Sequence, residues 1–244
     1  MSRKISYFCH MISKEVPFID IHTHSTRIKS GLYSYGIHPW AIQRDGLTPE
    51  ASPLSDRGYV QAVPSEIAAI GETGLDRLHK ETFDLQQKVF EQHILLSEQY
   101  QKPLIIHNVK ATANILNLHK KHHPKQPWII HGFNGTTDEV RQLTAKGIYL
   151  SVGESLFYPN RKITQSISSI PLEYLFLETD TSPKTIQEIY EKASELLNTP
   201  LDQLKEQIFA NFARLNLTPW KTGNNVPDCS SATMALINLD EAMC

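Results

Sequence analysis

Two hydrophobic rhythms alternate along the chain. Short apolar, β-branched runs recur seven times, most of them closing on a polar residue: "PFIDIHTH", "YSYGIHPW", "IAAIGETGLD", "PLIIHN", "PWIIHGF", "GIYLSVGES" and "YLFLETD". Runs of this length with apolar residues on both faces predict strands buried on both sides. Between them lie stretches with a helical period. "ETFDLQQKVFEQHILLSEQYQ" brings Phe83, Val89, Phe90, Ile94 and Leu95 towards one helical face. "ATANILNLHKKHH" and "TTDEVRQLTAKG" predict two more helices, the second opening on a Thr/Asp cap and stopping at Gly147. "TIQEIYEKASELLNTPLDQLKEQIFANFARL" predicts a helix pair parted at Asn198-Thr199-Pro200.

Strand–helix alternation with two-sided strands means an α/β fold around a mostly parallel sheet, and this many units points to a TIM (β/α) barrel. The count is one short of the eight strands of a complete barrel. The segment between His24 and Gly36 is too short for a strand and a helix, so the gap falls there. A truncated barrel is therefore expected, with seven regular parallel strands, or eight with the second position filled by a stub or irregular loop. One domain covers residues 1–220. The tail "KTGNNVPDCSSATMALINLDEAMC", residues 221–244, has turn residues and weak periodicity, and is expected as an appendage of uncertain order.

Composition narrows the setting. The 244 residues are 40% hydrophobic and 20% charged, with a formal net charge of -2. A near-neutral chain does not grip duplex nucleic acid over a broad basic face, although a nucleic acid held mainly through metal ions stays open. Cys9, Cys229 and Cys244 are odd in number and lack metal-ligand spacing, which argues against a disulfide framework and for a reducing cytoplasm. The apolar N-terminal stretch is broken by His10, Lys14 and Glu15, so neither a signal peptide nor a spanning helix is expected. A cytoplasmic monomer without membrane contact follows as the expectation.

The chemistry sits where the strands end. His22 and His24, then His38, Glu72, His107, His131 and Asp180 fall at the C-terminal ends of successive strands, the face on which a barrel builds its active site. On an extended strand His22 and His24 share a face with Asp20, while Ile21 and Thr23 point the other way. A lone HxH is ordinarily a hydrogen-bonded pair. Several strands ending in His, Glu or Asp are not, because a buried ionisable group costs several kcal/mol unless paired or metal-bound. Four histidines with two carboxylates suit two metals, and one carboxylate must bridge cations about 3.5–4 Å apart. Glu72 in "GETGLD" is the expected bridge, with Gly71 and Gly74 letting the backbone turn beside it. Asp180 would bind one metal and take the proton of the attacking water. Imidazole and carboxylate ligands accept Zn, Mn or Fe, and Mg less comfortably.

At these residues the chain resembles the TatD-type metal-dependent deoxyribonucleases of the amidohydrolase superfamily. The resemblance runs through "DIHTHS", "GIHPW", "IGETGLD", "KPLIIHNVKA", "HGFNG", "LETDTSP" and "NFARL", most of residues 16–217. It implies a distorted TIM barrel and two divalent metals. It implies as ligands His22, His24, Glu72, His107, His131 and Asp180, all present without substitution. Family members are implied to be DNases, some acting as exonucleases from the 3′ end. Two departures bear on the substrate pocket. A pattern like HSRDA has Arg two residues after the histidine, whereas "HNVKA" has Val109 there and Lys110 next, and Asn134 stands where Ser is common.

The remaining candidates are substrate contacts: His38, against a turn histidine; Lys110; Asn134; and Glu154, with Ser155 beside it. The run from His119 to Lys125 reads as a solvated helix end, since positive residues favour helix C-termini. Phe133 is expected to pack under the rim, with base stacking as the other reading. The function expected is a divalent-metal-dependent phosphodiesterase acting on DNA ends through a two-metal-bound hydroxide. The alternative is an amidohydrolase cleaving a C–N or C–O bond of a small molecule, which Val109 favours because a carbonyl substrate needs no guanidinium clamp. A non-catalytic metal-binding protein comes third, opposed by the full ligand set.

Overall fold

The structure, a computed structural model, describes residues 16–24, 32–43, 46–47, 67–215 and 236–239. Strand β1 spans Ile19–Thr23 and β2 spans Leu32–Tyr35, and two short strands, β3 (Ile42–Gln43) and β4 (Gly46–Leu47), form a separate antiparallel pair. Strand β5 (Ala69–Asp76) is followed by helix α1 (Phe83–Tyr100), β6 (Leu104–Val109), α2 (Thr112–His122) and β7 (Trp128–Ile130). Then come α3 (Thr137–Thr144), β8 (Tyr149–Val152), α4 (Lys162–Ser166), β9 (Leu175–Leu177), α5 (Ile186–Leu197), α6 (Leu201–Arg214) and β10 (Leu236–Leu239). All seven predicted strands are present. The capping box of α3, with Thr136 and Glu139 bonding each other's backbone amides, sets its start as the Thr/Asp signal required.

The strands form an eight-stranded sheet in the order β1-β10-β2-β5-β6-β7-β8-β9, parallel from β2 to β9. Its two edges meet at one parallel bridge, Thr23 with Asp180. There the His24 N–H donates to the Asp180 carbonyl (3.0 Å) and the Asp180 N–H to the His22 carbonyl (2.9 Å). The result is a distorted barrel.

The gap after β1 is filled from an unexpected source. Strand β10, from the tail, lies antiparallel between β1 and β2. The two parallel-sheet strands would otherwise leave backbone N–H and C=O groups facing each other unpaired, and the apolar run Leu236–Leu239 supplies the missing ladder.

The core is carried by β-branched and aromatic side chains, with Trp128, Tyr190, Phe90 and Phe176 among the largest that are fully buried. Some buried polar groups serve as struts. The Tyr190 hydroxyl on α5 accepts from the Ile19 N–H and donates to its carbonyl, both at 3.1 Å, so α5 grips the start of β1. The Asn211 amide on α6 donates to the carbonyls of Leu172 (2.7 Å) and Leu175 (2.9 Å) and holds the entry to β9.

Helix α1 corrects one expectation. Leu95 is exposed at 53%, and the buried face carries Gln86, Val89, Phe90, His93, Ile94 and Ser97. Gln86, His93 and Ser97 occupy the i, i+3/i+4, i+7 stripe, which hydrophobicity alone had assigned one position round. Each is satisfied there. The Gln86 carbonyl oxygen accepts from the Asp76 N–H (2.8 Å), and the Ser97 hydroxyl donates to the Lys102 carbonyl (2.6 Å). His93 accepts at Nε2 from the Ile37 N–H (3.1 Å) and donates from Nδ1 to the Val89 carbonyl (2.8 Å), so it must be neutral.

Burial pushes His93 down to about 4, against the bond to Val89. A group held below its unfolded value near 6.5 contributes stability that is complete above that value and is lost as pH falls towards the folded value. The loss between about pH 6.5 and pH 4 should approach roughly 3 kcal/mol, at 1.36 kcal/mol per unit. Urea denaturation of wild type and His93→Phe across this window tests it. The variant should be weaker at pH 8 and show a flatter profile, and equal slopes would refute the assignment.

Candidate metal centre

Glu72 is the hub. It lies within β5 with only 3% of its surface exposed, and five histidines from four segments close on its carboxylate. Its Oε2 lies 3.3 Å from Nε2 of both His22 and His24. Its Oε1 lies 2.9 Å from His107 Nδ1, 2.7 Å from His131 Nε2 and 2.9 Å from His38 Nε2. Asp180, brought to the HxH by the β1 bridge, places Oδ1 3.6 Å from Nε2 of both His22 and His24. Three groups result: His22, His24 and Asp180; His22, Glu72 and His131; and His38, Glu72 and His107. Within each, the ligand atoms lie no more than 4.8 Å apart.

Glycines make this approach possible. At Gly74 (φ +145°) a Cβ would run into the His107 carbonyl oxygen, and at Gly71 (φ +131°) into that of Ile105. β5 therefore lies hard against β6 where Glu72 meets His107. Gly74→Ala is expected to cost about 2–4 kcal/mol through strain at a conformation that only glycine tolerates. Its denaturation midpoint should drop accordingly, and an unchanged midpoint would refute the close approach.

The electrostatics are those of a carboxylate set among imidazoles. Burial alone would raise Glu72, but the charges and hydrogen bonds of His131, His107 and His22 hold it far below the usual carboxylate range. Burial would lower His131, yet Glu72 and Glu178 on either side raise it well above an ordinary histidine. Burial lowers His22 and His107. The hydrogen bond to Glu72 raises His24.

The six expected ligands come together, and His38 joins them. Its Nδ1 accepts from the Trp40 N–H at 3.1 Å, capping the turn Pro39–Ala41, which leaves Nε2–H to donate to Glu72. His38 is thus both a turn histidine and a neighbour of the hub. The other substrate candidates lie outside the imidazole cluster. Asn134 uses Oδ1 to accept from the Ile163 N–H (3.1 Å). Glu154 accepts from the Tyr158 hydroxyl (2.7 Å) and is held low first by that bond and then by Ser182. Lys110 is exposed just past β6. Phe133 is 3% exposed, so it packs under the rim as expected. In the basic run, Lys121 and His122 pair with Glu91, at 2.8 and 3.4 Å.

Two buried carboxylates escaped the sequence reading. Glu178 accepts from the Gly132 N–H (2.5 Å) and lies 3.8 Å from His131 Nδ1. Asp76 accepts from the Trp40 indole N–H and the Leu78 N–H, both at 2.8 Å, and its Oδ2 lies 3.7 Å from His107 Nε2. Both flank a histidine on the side away from Glu72. The available signal was their place in "LETD" and "GETGLD", beside residues already singled out.

The sequence profile described as TatD related DNase matches residues 3–216. The chain belongs to that family. It is similar to the uncharacterized metal-dependent hydrolase YjjV of Escherichia coli, at 27% identity over 75% of this chain and 76% of that one. It is also similar to a protein of Schizosaccharomyces pombe named Deoxyribonuclease Tat-D, at 30% identity over 59% of this chain and 49% of that one. The crystal structure of the E. coli YjjV protein superposes with a TM-score of 0.64 at 23% identity, covering 76% of each chain. That of a TatD family hydrolase from Entamoeba histolytica gives 0.53 at 19%, covering 62% of this chain and 63% of the other. These TatD-family likenesses support the distorted barrel and a metal-dependent hydrolase.

Proposed function

We propose that this TatD-family hydrolase is a two-metal phosphodiesterase that acts on DNA ends. The observation that carries the reading is the division of Glu72: one carboxylate oxygen faces His22 and His24, with Asp180 beside them, and the other faces His107 and His131. That is the layout of a bridging ligand between two cation positions. The donors fit divalent metals. Nε2 of the fully buried His22, which faces Glu72 and Asp180, lacks a hydrogen bond among the described residues, and a cation would satisfy such an atom. Zn, Mn or Fe suit this donor set better than Mg.

Bound cations would acidify water and neutralise charge on a phosphodiester. This chain's own residues do the rest. Asp180, with its side chain 37% exposed, is open enough to take a proton from water at the cluster. His38, anchored at Nδ1, and the buried Glu178 behind His131 hold Glu72 and His131 in place. Lys110, exposed just past β6, is the cation closest in sequence to the ligand His107 that could meet a phosphate. Among the described residues no helix is long and apolar enough to cross a membrane. The cytoplasm is the setting that the sparse, unspaced cysteines support.

The test is a panel of metal-loaded protein against single-stranded DNA, bis-p-nitrophenyl phosphate, and amide and carboxylic ester substrates. Metal-dependent cleavage of the first two, abolished by a chelator, supports the proposal. Cleavage confined to amides or esters would transfer the centre to small-molecule amidohydrolase chemistry.

A further inference from the structure

Trp40 is 61% exposed, more than any other large hydrophobic side chain among the described residues, while Phe133, the aromatic next to a candidate ligand, is buried. Leaving an indole in water forfeits burial energy that a mobile surface residue would recover by folding back. Trp40 is tied at two points. Its indole N–H is tied to the buried Asp76 carboxylate at 2.8 Å, and its backbone N–H to His38 at 3.1 Å. Its ring meets the His38 ring edge-on (centroids 4.8 Å, 81°) and that of His107 (5.7 Å, 74°). Both of those imidazoles touch Glu72 Oε1. A large flat ring is therefore pinned at the lip of the candidate metal centre with most of its surface in solvent.

Its surroundings point to a ligand with an aromatic body and a negative charge. Leu78, exposed at 60%, hangs from the other oxygen of Asp76 through its backbone N–H (2.8 Å). The His79 ring lies 6.0 Å from the indole. At the neighbouring ends of β5 and β6 stand two exposed cations, Arg77 and Lys110, and the Arg77 N–H bonds the Val109 carbonyl at 3.0 Å. The Arg77 guanidinium donates to the neutral amide oxygen of Asn114, which leaves its charge unneutralised by that partner. An exposed indole and leucine, with the exposed cations Arg77 and Lys110 at the neighbouring strand ends, match a nucleobase with its phosphate.

We propose that Trp40 is a specificity-determining residue on which a base of the substrate strand stacks, so that the phosphate attached to it lies over Glu72. This rests on the reading of the centre as a phosphodiesterase, and it narrows the substrate to strands that carry a base at that position. A base stacks on indole whatever its identity, because every base has a π-face, so the shelf selects for the presence of a base rather than for its sequence.

The experiment compares two probes of equal charge: a short labelled oligothymidylate and the same backbone with every base replaced by an abasic residue. Binding is measured by anisotropy on metal-loaded protein in the Asp180→Asn background, where turnover is slow, and the readout is the ratio of the two dissociation constants. The expected ratio is about tenfold or more with Trp40 present. It should stay high in Trp40→Phe, which keeps a ring without the N–H, and fall to about one in Trp40→Ala. The ratio is insensitive to a general loss of folded protein and to the phosphate contacts. A ratio near one with Trp40 present, or the same ratio in Trp40→Ala, overturns the proposal. So does a collapse in Trp40→Phe equal to that in Trp40→Ala, because the tryptophan would then act only through its bond to Asp76. Hydrolysis is read separately on wild-type protein. A Trp40-dependent ratio without phosphodiester cleavage sinks the phosphodiesterase reading and leaves the stacking shelf standing, and cleavage without the ratio does the reverse.

Discussion

Asp180→Asn is expected to cut turnover by about 10²–10⁴-fold at neutral pH, the usual contribution of a positioned proton acceptor, while most of the metal stays bound. The substitution is well matched to its place. Asp180 has φ +51°, a left-handed conformation that Asn tolerates as readily as Asp, so the bridge to Thr23 should survive. Asn also retains an oxygen near His22 and His24, where Asp180 Oδ1 now lies 3.6 Å from each. What it loses is the ability to accept a proton. Metal content by mass spectrometry, measured with the rate, separates the outcomes. Full turnover with metal bound would reduce Asp180 to a ligand and move the base to another group.

Glu72→Gln should behave differently, losing metal and rate together. The carboxylate offers one oxygen to each half of the cluster, and two cations at bridging separation repel without an anion between them. The amide would also present N–H donors to imidazoles arranged around an acceptor. Metal content should fall at both positions and hydrolysis by at least about 10³-fold, or roughly 4 kcal/mol of transition-state stabilisation. His131 would lose a partner at 2.7 Å, and breaking a buried pair from one side costs about 3–5 kcal/mol, so the metal-free variant should also unfold more easily. Retained metal content would show that Glu72 does not bridge.

Much of this could be read from the chain alone. The seven strands and the five longer helices follow from periodicity, a local property that each segment carries wherever it is placed. The Thr136 cap and the break at Asn198-Thr199-Pro200 are likewise local chemistry, and the observed helix limits agree with them. Most of the cluster was legible because a parallel sheet gathers the residues near its C-terminal ends, although Glu72 itself lies inside β5. Knowing the fold class was enough to gather His22, His24, Glu72, His107, His131 and Asp180 on one face.

What remained hidden depends on partners distant in the sequence. The fragment Leu236–Leu239 carries too weak a pattern to declare itself; it becomes a strand because β1 and β2 leave a ladder open for it. The polar stripe of α1 looked wrong for a core until Gln86 and His93 were seen to satisfy the backbone of Asp76 and Ile37. Glu178, Asp76 and Trp40 gained their places only when β5, β6, β7 and β9 were brought side by side, since each acts on a histidine or carboxylate from another element. Local sequence determines where a side chain sits along its own element. Which nitrogen meets which oxygen is decided by the register between elements, and in this protein that register turns five histidines and one glutamate into a single buried cluster.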